Sequence, residues 1–190
     1  HHCSVATSTF RCAHRKPNLA QVPSDERFRQ LFTATPSKQM VSADLSGIEL
    51  RMLAHYLSRY DNGRYQRILT EGDIHQTNAE RIGITRRQVK TVTYAFLYGA
   101  GDAKLGYSFD KQLTETAARR KGSEIRKAYV AAIPGLKELL DATQKCAAKG
   151  FAKGIDGRKI KVDKAHKFLN YLLQGSAATI AKRWMVIVND

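Results

Sequence analysis

Arg86, Lys90, Tyr94 and Tyr98 recur every four residues. On a helix, four residues turn about 400°, so these side chains form one slowly drifting stripe about 18 Å long. Two cations occupy its N-terminal end and two aromatic rings lie beyond them. A helix N-terminus adds unpaired N–H groups and the positive end of a dipole. A phosphate chain suits Arg86 and Lys90, and a base or sugar suits Tyr94 and Tyr98. A solvated basic turn followed by core tyrosines accounts for the same spacing. Gly99 and Gly101, just after the second tyrosine, favour close approach of another backbone.

Asp44 is the second residue that could do chemistry. It follows the apolar run Met40–Ala43 and precedes a helical pattern. A carboxylate at the end of a strand is a usual Mg²⁺ ligand and an equally usual turn residue. Glu49 has a plain explanation too, as the acidic partner of Ser46 in a capping box. A two-metal phosphoryl-transfer site needs a second carboxylate in space, and no other residue announces itself as that partner.

The elements that must position these groups follow from periodicity. Residues 1–38 read as irregular, punctuated by Pro17, Pro23 and Pro36. Met40–Ala43 reads as a short buried strand. Leu50, Leu53, Ala54 and Leu57 then mark a helix, ended by the turn Asp61-Asn62-Gly63. Asp73 with Gln76, and Thr85 with Gln88, are paired as caps and box partners of two further helices. Gly83 ends the first of these. Segments 114–130 and 134–149 read as helices, with Pro134 in a first turn and Gly150 as a stop. Asp156-Gly157 signals a hairpin between strands near 151–155 and 158–162. A last helix runs from about His166. The fold class is α+β, mostly helical, with strands from both ends of the chain.

With 32 Lys plus Arg against 17 Asp plus Glu, the net charge is +15. That is well beyond the charge of about 2–8 that keeps a small domain soluble. It points to a polyanionic partner, nucleic acid first. Residues 145–167 alone hold eight Lys or Arg against two Asp. No apolar run approaches the roughly 18 residues of a membrane span. The odd count of three cysteines, without CxxC, indicates no disulfide framework and makes a reducing cytoplasm the default. His1, His2, Cys3, Cys12 and His14 match no common zinc spacing. The chain opens at His1 and stops at Asp190 in mid-pattern, which reads as a piece of a longer protein.

Taken together, these segments resemble the family A DNA polymerases, most of all the replicative enzymes of short-tailed bacteriophages. Ala43 to Arg51, ADLSGIELR, is similar to motif A. Arg86 to Gly99, RRQVKTVTYAFLYG, is similar to motif B, the fingers helix. Gly72-Asp73-Ile74-His75 resembles the nucleotide-contacting histidine segment. Thr9-Phe10-Arg11 with Pro17-Asn18-Leu19 resembles the DNA-contacting stretch ahead of motif A. Asn170 and Gln174 resemble a primer–template contact pair. Five such segments in the family's order leave little room for chance.

The resemblance implies part of a right-hand polymerase: palm over 1–60, fingers over 61–150 and palm again over 151–190. It implies that Asp44 holds both Mg²⁺ ions of the full-length enzyme, with the Leu45 carbonyl assisting. Arg86, Lys90 and His75 would grip the deoxynucleoside triphosphate, with Lys90 as proton donor to the leaving pyrophosphate. Tyr94 would stack on the nucleotide, with Tyr98 beside the templating pair. Glu49 and Tyr98 would form a steric gate against a ribose 2′-OH. Arg11, Asn170 and Gln174 would contact primer–template DNA. The implied activity is template-directed DNA synthesis in replication, in the cytoplasm of a bacterial host for a phage-encoded enzyme.

There are departures. Leu45 replaces the common Tyr, Gly47 the common Gln, and Phe10 stands where the family usually has Gly. The family's His-Asp-Glu motif C, with the second metal carboxylate, belongs beyond Gln174 and past the last residue, so 1–190 alone is expected not to polymerise. A single-subunit RNA polymerase is the enzymatic alternative, disfavoured by Glu49. A non-catalytic nucleic-acid-binding remnant is the other. Nothing in the residues identifies a processivity partner.

Overall fold

The computed structural model describes residues 1–189. Two short hairpins stand towards the ends of the chain, with helices between and after them. β1 (His2–Ser4) pairs antiparallel with β2 (Ala13–Arg15), and α1 (Glu26–Arg29) follows. The helical body comprises α2 (Ile48–Asp61), α3 (Arg64–Glu71), α4 (Ile74–Ile82), α5 (Arg86–Leu97), α6 (Asp102–Tyr107), α7 (Glu115–Ala132) and α8 (Leu136–Ala147). β3 (Phe151–Lys153) and β4 (Lys159–Lys161) form the second hairpin, and α9 (Phe168–Asn189) closes the chain. The two hairpins are separate two-stranded sheets.

The main core gathers one face of each long helix. Leu50, Leu53 and Leu57 of α2 meet Val92, Phe96 and Leu97 of α5, Tyr129 of α7, Leu136 of α8 and Leu173 of α9. Each such side chain contributes about 1.5–3 kcal/mol when fully buried. Removing α5 from this core would therefore be costly, and its position is well fixed. A smaller cluster under the second hairpin joins Ala152 and Ile160 to Phe168 and Leu172. Among the described residues, no helix is long and apolar enough to cross a membrane.

Several expectations hold. Thr85 and Gln88 form the complete capping box at the start of α5. The Asp73 side chain caps α4 through the N–H groups of His75 and Gln76. The helix expected over 114–130 is present as α7, and the Asp156-Gly157 hairpin is present.

Others need correction. Met40–Ala43 is not a buried strand: Val41 is 89% exposed, because no strand among the described residues pairs with it. Ser46 and Glu49 form no capping box. α2 starts one residue later, behind Gly47 in the left-handed region at φ 57°, without a side-chain cap. The Gln76 amide turns forward to Glu80 at 2.9 Å rather than back to the cap. α8 begins at Leu136, past Pro134, and α9 begins at Phe168 after a 3₁₀ turn over Ala165–Lys167. The β1–β2 hairpin, the 3₁₀ turn Leu19–Gln21, α1, α3 and α6 were not read from sequence.

Candidate nucleotide and nucleic-acid site

α5 carries the stripe as its periodicity requires. Val89, Val92, Phe96 and Leu97 face the core, which leaves Arg86 and Lys90 exposed and Tyr94 half-buried. Tyr98 caps the helix and is 48% exposed, so neither tyrosine is a core residue.

The structure brings Arg86, His75, Tyr94, Tyr98 and Glu49 into three pairings around this helix. At its start, Arg86 Nε donates to Asp73 Oδ2 at 2.7 Å. That cation holds the Asp73 carboxyl below the usual carboxylate range, helped by the Gln76 N–H. Midway, the His75 ring lies 6.2 Å from the Tyr94 ring, centroid to centroid. Burial pushes the His75 imidazole below its ordinary value, and the Arg86 and Lys90 charges push the same way against Asp73. At the far end, the Tyr98 hydroxyl donates to Glu49 Oε1 at 3.3 Å. Burial and the Glu49 carboxylate raise the phenol, while the nearby Arg11 guanidinium draws it back.

The end of α5 is also tied to α9. Asn170 Nδ2 donates to the Leu97 carbonyl, one of the acceptors a helix C-terminus leaves unpaired. Gln174 lies one turn further along α9 and is half-buried. Asp44 is exposed ahead of α2, with Leu45 half-buried beside it. Glu49 is in the first turn of α2, so its contact with Tyr98 sets the stripe beside the Asp44 turn. Among the described residues, no three His, Cys, Asp or Glu side chains are arranged to hold a metal ion.

Phe10 explains one departure from the family pattern. Its φ is 58°, a conformation suited to glycine and strained for a bulky residue. Two contacts hold it there: Lys182 Nζ donates to its carbonyl, and the Arg158 guanidinium lies 5.3 Å over its ring. Sequence reasoning missed both, since the partners are far along the chain. It also read Asp73 only as a cap and overlooked it as the counter-ion of Arg86.

Comparison with known proteins identifies the family and the fold. The family model for DNA polymerase family A matches residues 1–190. The DNA-directed DNA polymerase of Enterobacteria phage T3 is 35% identical over 94% of this chain and 29% of its own length. The enzyme of Escherichia phage T7 gives the same identity and coverage. DNA polymerase I of Pseudomonas aeruginosa is 28% identical over the whole of this chain and 23% of its own. The chain thus spans under a third of these relatives. Among solved structures, the POL domain of Pol1 from M. smegmatis, in complex with DNA primer-template and dNTP, superposes with a TM-score of 0.75 at 26% identity, over 96% of this chain and 36% of that one. A mostly helical chain with this fold and these motifs, matched along its whole length, belongs to DNA polymerase family A.

Proposed function

We propose that this chain is the palm and fingers part of a DNA-directed DNA polymerase that extends a primer by template-directed addition of deoxynucleotides. The observation that carries the proposal is the Tyr98–Glu49 contact, with Arg11 beside it. It joins the cationic and aromatic stripe of α5 to the carboxylate turn ahead of α2. Residues 1–60 and 151–190 are assigned to the palm and 61–150 to the fingers.

In this reading Arg86, Lys90 and His75 hold the triphosphate. Fixed cations at a helix start stabilise the charge that develops there without reorganising. The primer 3′-oxygen bonds to the α-phosphorus as the bond to the bridging oxygen breaks, and Lys90 gives a proton to the departing pyrophosphate. Tyr94 stacks on the nucleotide. Glu49 and Tyr98 occupy the space a 2′-OH would need. Arg11, Asn170 and Gln174 contact primer–template DNA.

The Asp44 carboxylate and Leu45 carbonyl are hard oxygen donors of the kind Mg²⁺ takes, usually with substrate phosphates completing the shell. They would hold Mg²⁺ together with a second carboxylate from the rest of the parent protein. When bound, the metal pair activates the attacking oxygen and neutralises charge on the phosphates. The site of action is the cytoplasm, that of a bacterial host for a phage-encoded enzyme.

Single-turnover incorporation by the full-length polymerase tests the reading. Lys90→Ala and Arg86→Ala should slow incorporation opposite every template base alike, because phosphates carry no base identity. Asp44→Ala should be worse. Unchanged rate and nucleotide affinity in Lys90→Ala would refute the assignment. DNA binding by residues 1–190, driven by the +15 charge, should weaken steeply with salt.

A further inference from the structure

α6 and α7 are packed too closely to move independently. A Cβ at Gly106 would lie 2.0 Å from the Ala118 carbonyl oxygen, and one at Gly122 would lie 1.8 Å from that of Asp102. Ala118, Gly122 and Arg126 follow at intervals of four on α7, so they share one face. Two small residues on that face admit the backbone of α6. The third, Arg126, reaches past it to the turn that ends α5.

There the guanidinium has three neighbours. Its Nε donates to Asp102 Oδ1 at 2.6 Å, and its Nη2 to the Ala100 carbonyl at 2.5 Å. Its plane centre lies 5.9 Å from the Phe96 ring centroid. It is about one-third exposed and lines a cavity of about 390 Å³ together with Gly99, Gly101 and Asn170. The turn after Tyr98 is thus held from two sides, by Asn170 at Leu97 and by Arg126 at Ala100. Only an arginine fork can serve a carboxylate and a carbonyl at once while lying on an aromatic ring.

We propose that Arg126 is a positioning residue for nucleotide selection: it joins the rigid α6–α7 unit to the end of α5 and so fixes where Tyr98 stands against Glu49. The inference rests on the reading of Glu49 and Tyr98 as the gate against a 2′-OH. Arg126 touches neither nucleotide nor metal in this account. It acts through the turn.

The test compares kcat/KM for deoxy- and ribonucleotides in the full-length polymerase, with thermal unfolding measured alongside. Arg126→Ala should lower the preference for deoxynucleotides roughly tenfold, less than the roughly hundredfold that a full 1 Å misplacement can cost. Arg126→Lys should recover part of it, and Asp102→Asn should lose a similar part. In a Glu49→Ala background the effect of Arg126→Ala should vanish, because both changes disable one gate. A merely structural role would instead lower the melting temperature and slow both substrates in proportion. An unchanged ratio in Arg126→Ala, or losses that simply add to those of Glu49→Ala, would overturn the proposal. Should Arg126→Ala not fold, Arg126→Gln, which keeps much of the aliphatic stem and loses the charged fork, gives the same comparison. If Glu49→Ala alone leaves the ratio unchanged, the gate reading itself fails. If only the Arg126 variants leave it unchanged, the gate stands and this inference falls.

Discussion

Arg86 and Asp73 form an ion pair that would compete with the triphosphate proposed to bind Arg86. The two are 2.7 Å apart, at the starts of α5 and α4. Asp73 therefore caps its own helix and occupies a proposed phosphate-binding cation in the absence of nucleotide. Asn at this position keeps the cap, since its oxygen accepts the same N–H groups, but it gives up the ionic competition. Asp73→Asn should tighten nucleotide binding by about two- to fivefold, the range expected of an exposed pair. Titration of nucleotide in single-turnover kinetics measures this. Weaker binding would show instead that Asp73 aims Arg86 at the phosphates.

Tyr94 offers a prediction that turns on one hydroxyl. Its ring stands near His75 and is half-buried, as a stacking surface should be. A phenolic O–H beside the nucleotide can replace the hydrogen bond that a dideoxynucleotide loses with its 3′-OH. Such a bond to a charged phosphate contributes about 1.5–3 kcal/mol, or roughly ten- to a hundredfold in selectivity. The full-length enzyme should be terminated efficiently by dideoxynucleotides, and Tyr94→Phe should make it resistant. Competition of each dideoxynucleotide against its normal counterpart decides this, and strong discrimination by the unmutated enzyme would remove Tyr94 from the pocket.

The pH dependence of stability should carry a His75 signature. Its folded pKa is depressed from 6.5, chiefly by burial. The folded state therefore favours neutral imidazole, while the unfolded chain takes up a proton near 6.5. Above that pH the group costs nothing. As pH falls through the unfolded value towards the folded one, stability is lost. Denaturant midpoints measured from pH 7.5 down to 5.5 should fall more steeply in the unmutated protein than in His75→Gln. Parallel curves would show that His75 does not contribute.

Phe10 separates conformational strain from packing. A left-handed φ costs an L-residue about 1–2 kcal/mol, partly offset in a comparison with glycine by the greater freedom glycine has when unfolded. Phe10→Ala and Phe10→Gly both lose the ring beneath Arg158, yet only Ala retains the strain. Glycine should therefore be the more stable of the two by about 0.5–1 kcal/mol in urea unfolding. The reverse order would mean that the backbone here relaxes once the ring is gone.

What the sequence disclosed, and what it did not, divides by distance along the chain. The α5 stripe was legible because its period and its Thr85–Gln88 box lie within fourteen residues. The Asp156-Gly157 hairpin was legible for the same reason. Met40–Ala43 was misread because a short apolar run shows that a segment suits a strand, not that a partner strand is present. The local spacing misplaced Glu49 in a capping box, whereas its partner Tyr98, 49 residues away, was reached only through the family resemblance. α6 was missed because six residues hold too little of a helical period, and its place is dictated by the glycines it packs against.

Those glycines also bear on how such an enzyme can change. Positions 106 and 122 leave no room for even a methyl group against the opposing backbone. A library of random variants should therefore return few folded members at either position. Arg126 and Asp102, on the same interface, are partly open to solvent and can be exchanged without prying the helices apart. Changes tolerated at this joint should therefore fall on the polar pair, with the helix spacing held by the two glycines.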